Sequence, residues 1–127
     1  MEYLLISLGG MLGANARYLV AGWVTQWLGL AFPWGTFLVN LSGSFVLGLF
    51  LAYMSRFPAS DCPRLFFAVG FLGAYTTFST FSFESIQLLQ NGRFMIALSY
   101  VVGSAVLGLL GAWFGFSLGK ASYSPLH

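Results

Sequence analysis

Four long apolar runs separated by short polar breaks organise the chain. With about 20 apolar residues needed to cross a bilayer, they predict spans at about Tyr3–Trp27, Trp34–Met54, Leu65–Gln90 and Phe94–Leu118. Gly29 to Gly35, with Pro33 inside, reads as the first reversal, and Asn91-Gly92 as a helix stop followed by a turn. The segment from Ser55 to Arg64, carrying Arg56, Pro58, Asp61, Pro63 and Arg64, reads as the one soluble-looking loop. The third run breaks its own pattern: from Thr76 to Ser82, five of seven positions are Ser or Thr, the other two are Phe78 and Phe81, and Glu84 follows. Hydroxyls and a carboxylate at bilayer depth belong where they face protein, water or a substrate path, which makes this stretch the candidate site.

Composition excludes the alternatives to a membrane protein. The chain is 58% hydrophobic and 6% charged, against about 25% charged residues in a soluble domain. The 127 residues hold four spans and leave no room for a soluble domain, so the expected fold is a single four-helix transmembrane domain over 1–127. The net charge of +2 is too small and scattered to indicate nucleic acid. Cys62 is alone and His127 is terminal, so neither a disulfide nor a side-chain metal cluster can be assembled, and metal or thiol enzymology is not expected. Ala14-Asn15-Ala16 resembles a signal-cleavage site, but the N-terminus offers Glu2 and no basic residue, so the first run is read as a span.

Topology and small residues add a second layer. Four spans put the N-terminus, the Ser55–Arg64 loop and the C-terminal tail on one side, with Arg56, Arg64 and Lys120; Arg93 lies on the other, joined by Arg17 if it snorkels that way. A bias this weak permits insertion in both orientations, and equally one orientation chosen by a small margin. Gly9-xxx-Gly13, Ser44-xxx-Gly48, Ser104-xxx-Gly108 and Gly111-xxx-Gly115-xxx-Gly119 are spaced for close helix contact, within one bundle or between subunits.

The third span carries the chemistry. Gly70, Gly73 and the β-branched Thr76-Thr77 predict a break near Gly73–Thr76, because glycine weakens a helix and Thr hydroxyls compete for backbone carbonyls. Carbonyls freed there, at a negative helix end, could seat a bare Na⁺; a kink satisfied by Thr hydroxyls is the plainer alternative. Phe78 and Phe81 share a face, as do Ser79 and Ser82 beside them. Ring edges and hydroxyl donors together suit a small anion held weakly enough to leave, whereas simple packing would use the same rings. Asn40 is an amide donor or an interhelical partner, and Tyr100 and Ser104 form an i, i+4 polar pair. Arg17 and Glu84, the two charges well inside spans, either neutralise each other or line a wet vestibule.

Gly70-Phe71-Leu72-Gly73, Thr76-Thr77-Phe78-Ser79-Thr80-Phe81-Ser82 and Glu84, with Gly35-Thr36-Phe37-Leu38-Val39-Asn40-Leu41, Gly9-Gly10-x-x-Gly13 and Arg17, resemble the signature of the Fluc/CrcB family of fluoride ion channels. The resemblance covers essentially the whole chain. It implies a dual-topology, antiparallel homodimer in a prokaryotic plasma membrane, passing fluoride out of the cytoplasm through two pathways around a central, non-transported Na⁺. By the same resemblance, the Na⁺ ligands are the carbonyls of Gly73 and Thr76. Asn40, Phe78, Ser79, Thr80, Phe81, Tyr100 and Ser104 then line the fluoride pathway, and Glu84 is the acidic residue after the motif. Gly108 and Ala112 stand where some relatives have hydroxyls, and Gly73-Ala74 where relatives often have two glycines. A small proton-coupled exporter of cationic drugs is the competing expectation; it would need an acid deep in the membrane, and only Glu84 could serve. A non-conducting assembly subunit is the third.

Overall fold

The computed structural model describes residues 1–57 and 61–123. All regular structure in it is helical: α1 (Glu2–Leu28), α2 (Trp34–Met54), α3 (residues 61–75), α4 (Phe78–Gln90) and α5 (Phe94–Ala121). Four helical stretches are long and apolar enough to cross a membrane, α3 and α4 together forming the third. No span is more than 22% buried within the protomer, so most of its apolar surface faces outward, as a bilayer solvent demands. Helix ends match the predicted spans within a few residues, and Trp34–Met54 matches at both ends. The expected Ser55–Arg64 loop is shorter than read, because the helix resumes at Asp61; Pro58 and His127 lie outside the described residues. Pro63 sits in the first turn of α3, where a missing N–H costs nothing.

Two tight helix pairs make the bundle: α1 against α3, and α2 against α5. Both crossings rest on glycine. A Cβ on Gly9 would strike the carbonyl of Phe66, and one on Gly13 the carbonyl of Phe71. On the other pair, Gly48 lies against the Ala112 carbonyl and Gly115 against that of Phe45. These small-residue stripes therefore serve packing within the chain; lipid supplies no hydrophobic drive between helices, so backbone approach and dispersion do the work. At the far end a cluster of Phe37, Leu88, Ala97 and Tyr100, flanked by Phe32, Trp34 and Phe81, ties α2, α4 and α5 together. Gly92 adopts φ 72°, the left-handed turn that lets α5 fold back on α4.

The third span departs from a regular helix twice. Arg64–Leu72 runs as a π-helix, a wide form that is rare at this length and concentrates at functional sites. The helix then stops, with Thr76 at φ −77°, ψ 154° and Thr77 at φ −146°, ψ 117°, before α4 begins. The break thus falls at the C-terminal edge of the predicted window. Gly73 itself is helical, at φ −62°, ψ −35°.

Candidate functional site

The break is built by three side chains that capture backbone groups. The Asn40 amide donates to the Thr77 carbonyl (3.0 Å), and its oxygen accepts from the Thr77 N–H (2.8 Å). One residue of extended chain is thereby held as if by a neighbouring strand. The Thr77 hydroxyl caps α4, accepting from the Thr80 N–H (3.2 Å) and donating to the Thr80 hydroxyl (3.1 Å). The Thr76 hydroxyl turns back to the Leu72 carbonyl (3.0 Å), closing α3. On the outer side of the turn, the methyl of Thr76 and the ring of Tyr75 lie where a side chain on Gly43 would be, so only glycine lets α2 approach the break.

These captures decide the fate of two carbonyls. In a continuous helix Gly73 O would receive the Thr77 N–H, and Thr76 O the Thr80 N–H. The first donor goes instead to Asn40, and the second to the Thr77 hydroxyl. Ala74 O and Tyr75 O lose their partners as well, since Phe78 and Ser79 start a new helix, so four carbonyls are released at the negative end of α3, Gly73 O and Thr76 O among them; the exposed Gly73 leaves open space around its backbone. Among the described residues no three His, Cys, Asp or Glu side chains gather to hold a metal.

Along α4, Thr77, Thr80, Glu84, Gln87 and Asn91 recur at three- and four-residue steps and line one side of a cleft of about 990 Å³. Arg17, Thr25 and Gln26 of α1 and Thr36 of α2 line the other side, with Arg93 at the loop end. Glu84 is fully engaged: its Oε1 accepts from the Thr36 hydroxyl (2.9 Å) and its Oε2 from the Tyr100 hydroxyl (2.7 Å). Arg17 shares the cleft, but the carboxylate's recorded partners are these two neutral donors, which favours the vestibule reading of both charges over mutual neutralisation. Arg93 donates to the Ala31 carbonyl and so ties the two loops at the cleft mouth.

The two phenylalanines occupy unlike surroundings. Phe81 is partly buried and packs on Tyr100, their ring centroids 5.1 Å apart. Phe78 is 80% exposed and meets Phe81 at 5.8 Å. Ser79 and Thr80 are exposed beside it. Tyr100 is wholly buried (0% exposed), with its hydroxyl on Glu84. One turn further along α5, the Ser104 hydroxyl is buried and has no hydrogen-bond partner among the described residues. The structure thus gathers Asn40, Thr76, Thr80 and Glu84 around the break and cleft, and puts Phe78 and Ser79 on the outward surface. Sequence reading overlooked Thr36 and the capping role of Thr77. The helical period Thr77-Thr80-Glu84-Gln87-Asn91 was available as a signal for the polar stripe.

Comparison with known proteins agrees with this architecture. Residues 4–116 match the family model described as CrcB-like protein, Camphor Resistance (CrcB). A relative from Thermus thermophilus, named fluoride-specific ion channel FluC, is 50% identical over 120 residues, covering 94% of both chains. Relatives of the same name from Acidobacterium capsulatum and Hydrogenovibrio crunogenus are each 44% identical, covering 94% and 98% of this chain and 97% and 96% of their own. These relatives are named as channels, not as enzymes. A four-span bundle with its third span interrupted at a Thr-Thr pair, matched along nearly its full length, belongs to the CrcB family.

Proposed function

We propose that the chain is a fluoride-selective channel that lets fluoride leave the cytoplasm, working as an antiparallel, dual-topology pair in the plasma membrane of a prokaryote. The relatives' names suggest the ion. The observation that carries the reading is the grouping at the break: Phe78, Ser79 and Thr80 open α4 directly after the extended Thr76-Thr77, with Phe81 against Phe78. A ring fixed there with hydroxyls beside it offers a positive edge and O–H donors to a small anion without a full charge to trap it. Fluoride enters through the cleft lined by Arg17 and Thr80, exchanges water for the Thr80 and Ser79 hydroxyls and ring edges, and continues toward Ser104, with the buried Tyr100 backing Phe81 from the core. The orphaned Ser104 hydroxyl supports that course, since a buried polar group without a partner is costly unless something visits it. The second NH of Asn40 is the remaining amide donor on the path, its first being used on Thr77.

Both Glu84 oxygens are directed onto Thr36 and Tyr100 and so away from a direct contact with the anion, while Arg17 on the same cleft offsets the carboxylate's charge. A proton-coupled drug exporter would turn its acid toward the cargo, whereas both Glu84 oxygens accept hydrogen bonds from the protein. Gly73 O and Thr76 O fit a Na⁺ by their hard oxygen chemistry and by the loss of both N–H partners. Of its released carbonyls one protomer would offer these two, and an inverted copy would complete the set. The bound ion would supply a fixed positive charge that holds two breaks together.

Efflux from liposomes containing purified protein tests the reading. Fluoride efflux without chloride efflux on the same timescale is expected. Comparable chloride flux, or flux of neither ion, overturns it, and drug efflux abolished by Glu84→Gln would establish the exporter instead.

A further inference from the structure

A second concavity lies away from the cleft, at the end of the bundle that carries both chain termini. Val46, Leu49, Phe50 and Tyr53 of α2, Phe67 of α3 and Gly119 of α5 line an open groove of about 370 Å³, with Ser122 at its rim. From Val46 to Tyr53 the groove follows α2 for about 10 Å, inward from the helix end. Its walls offer almost nothing for water to bond, so water does not fill it.

A fixed cation stands at the outer end. Arg56 lies between the rings of Tyr53 and Tyr123, 5.0 Å from each centroid, and its Nη2 donates to the Gly119 carbonyl (2.9 Å). Tyr53 and Gly119 are themselves groove residues, so the guanidinium is fixed at the mouth. A guanidinium carries five N–H donors, and one hydrogen bond from it is recorded among the described residues. An apolar slot at acyl depth under a stacked arginine at the interface matches one chemistry: a hydrocarbon chain below and a phosphate above. We infer that this groove binds an anionic glycerophospholipid, one acyl chain lying along Val46–Tyr53 and the phosphate on Arg56. Arg56 does not itself line the groove but is held beside it through Tyr53 and Gly119; Lys120 and Arg64 are exposed at the same end, with Asp61 near Arg64.

Native mass spectrometry of the whole chain, released from micelles holding equal phosphatidylglycerol and phosphatidylcholine, tests this. The unmodified protein is expected to retain phosphatidylglycerol about fivefold over phosphatidylcholine, as one interfacial arginine would provide. Arg56→Gln should remove the preference, and Arg64→Gln should leave it. Leu49→Trp, which fills the slot and leaves Arg56 in place, should reduce retention of both lipids and decides the matter if Arg56→Gln is unstable. Equal retention by the unmodified protein, an equal loss in Arg64→Gln, or undiminished retention in Leu49→Trp overturns the site. So does conversion of dimer to monomer by Leu49→Trp in the same spectra, since a second copy would then be the occupant.

Discussion

Phe78 and Phe81 are three residues apart on one helix, yet one points out of the protomer and the other packs on Tyr100. Substituting each should therefore separate conduction from stability. Phe78→Ile is expected to lower fluoride efflux while leaving the melting temperature in detergent unchanged. Phe81→Ile should lower efflux and also destabilise the protein by about 1 kcal/mol or more, because it empties part of a packed cluster. Unimpaired flux in both would return the rings to plain packing. Asn40 makes a different kind of claim. Its amide satisfies both backbone groups of Thr77, so Asn40→Ala leaves an N–H and a C=O without partners at about 1–3 kcal/mol each. Asn40→Asp keeps the acceptor for the N–H but sets a second oxygen against the Thr77 carbonyl. Thermal melting should place both variants well below the unmodified protein, and Asn40→Asp should not rescue Asn40→Ala. Equal stability of Asn40→Ala would mean that the break holds without the clamp.

At the scale of helices, the glycine stripes make the crossings and can be tested where a side chain has no room. Gly13→Val would press on the Phe71 backbone, which cannot turn aside as a side chain could; a cost at or above about 1–3 kcal/mol is expected. Gly22→Ala, facing open space on the same helix, should be neutral or stabilising by up to about 1 kcal/mol. A melting series across the two checks this, and equal effects would refute the crossing. The helices themselves were legible because apolar run length and the Pro33 and Asn91-Gly92 stops are local signals. The break was legible as a region and not as a residue. Weight on the helix cost of glycine drew attention to Gly73, which stays helical, whereas Thr77 is extended because Asn40, 37 positions away, takes its backbone. The π-helix over Arg64–Leu72 left no local pattern to read. Asn40 was legible as an interhelical partner though not its target, the Thr77 backbone, and Thr36 only as part of a motif, because its meaning is a bond to Glu84, 48 residues on. Thr77 as a cap could have been read, since a threonine before a new helix is a strong start signal.

For the whole molecule, the proposal joins two copies in opposite orientations, with Gly73 O and Thr76 O of each break meeting at one ion. A cation bound to the assembled pair and not to separated subunits stabilises the pair by mass action. Near saturation each tenfold fall in Na⁺ should remove about 1.4 kcal/mol per site, until the site empties. Exchange of Na⁺ for a bulky organic cation at constant ionic strength should therefore lower the melting temperature and increase the monomer fraction, together with fluoride flux. A Gly73→Ala variant separates backbone ligation from side-chain effects: Gly73 is helical and its Cβ would meet only the Ala68 carbonyl, at 3.7 Å. Its carbonyl is therefore retained, and its Na⁺ response should match that of the unmodified protein. Stability indifferent to Na⁺ would remove the central ion from the proposal. Crosslinking that joins only like-oriented subunits would remove the inverted pair, and with it any source for the missing oxygens.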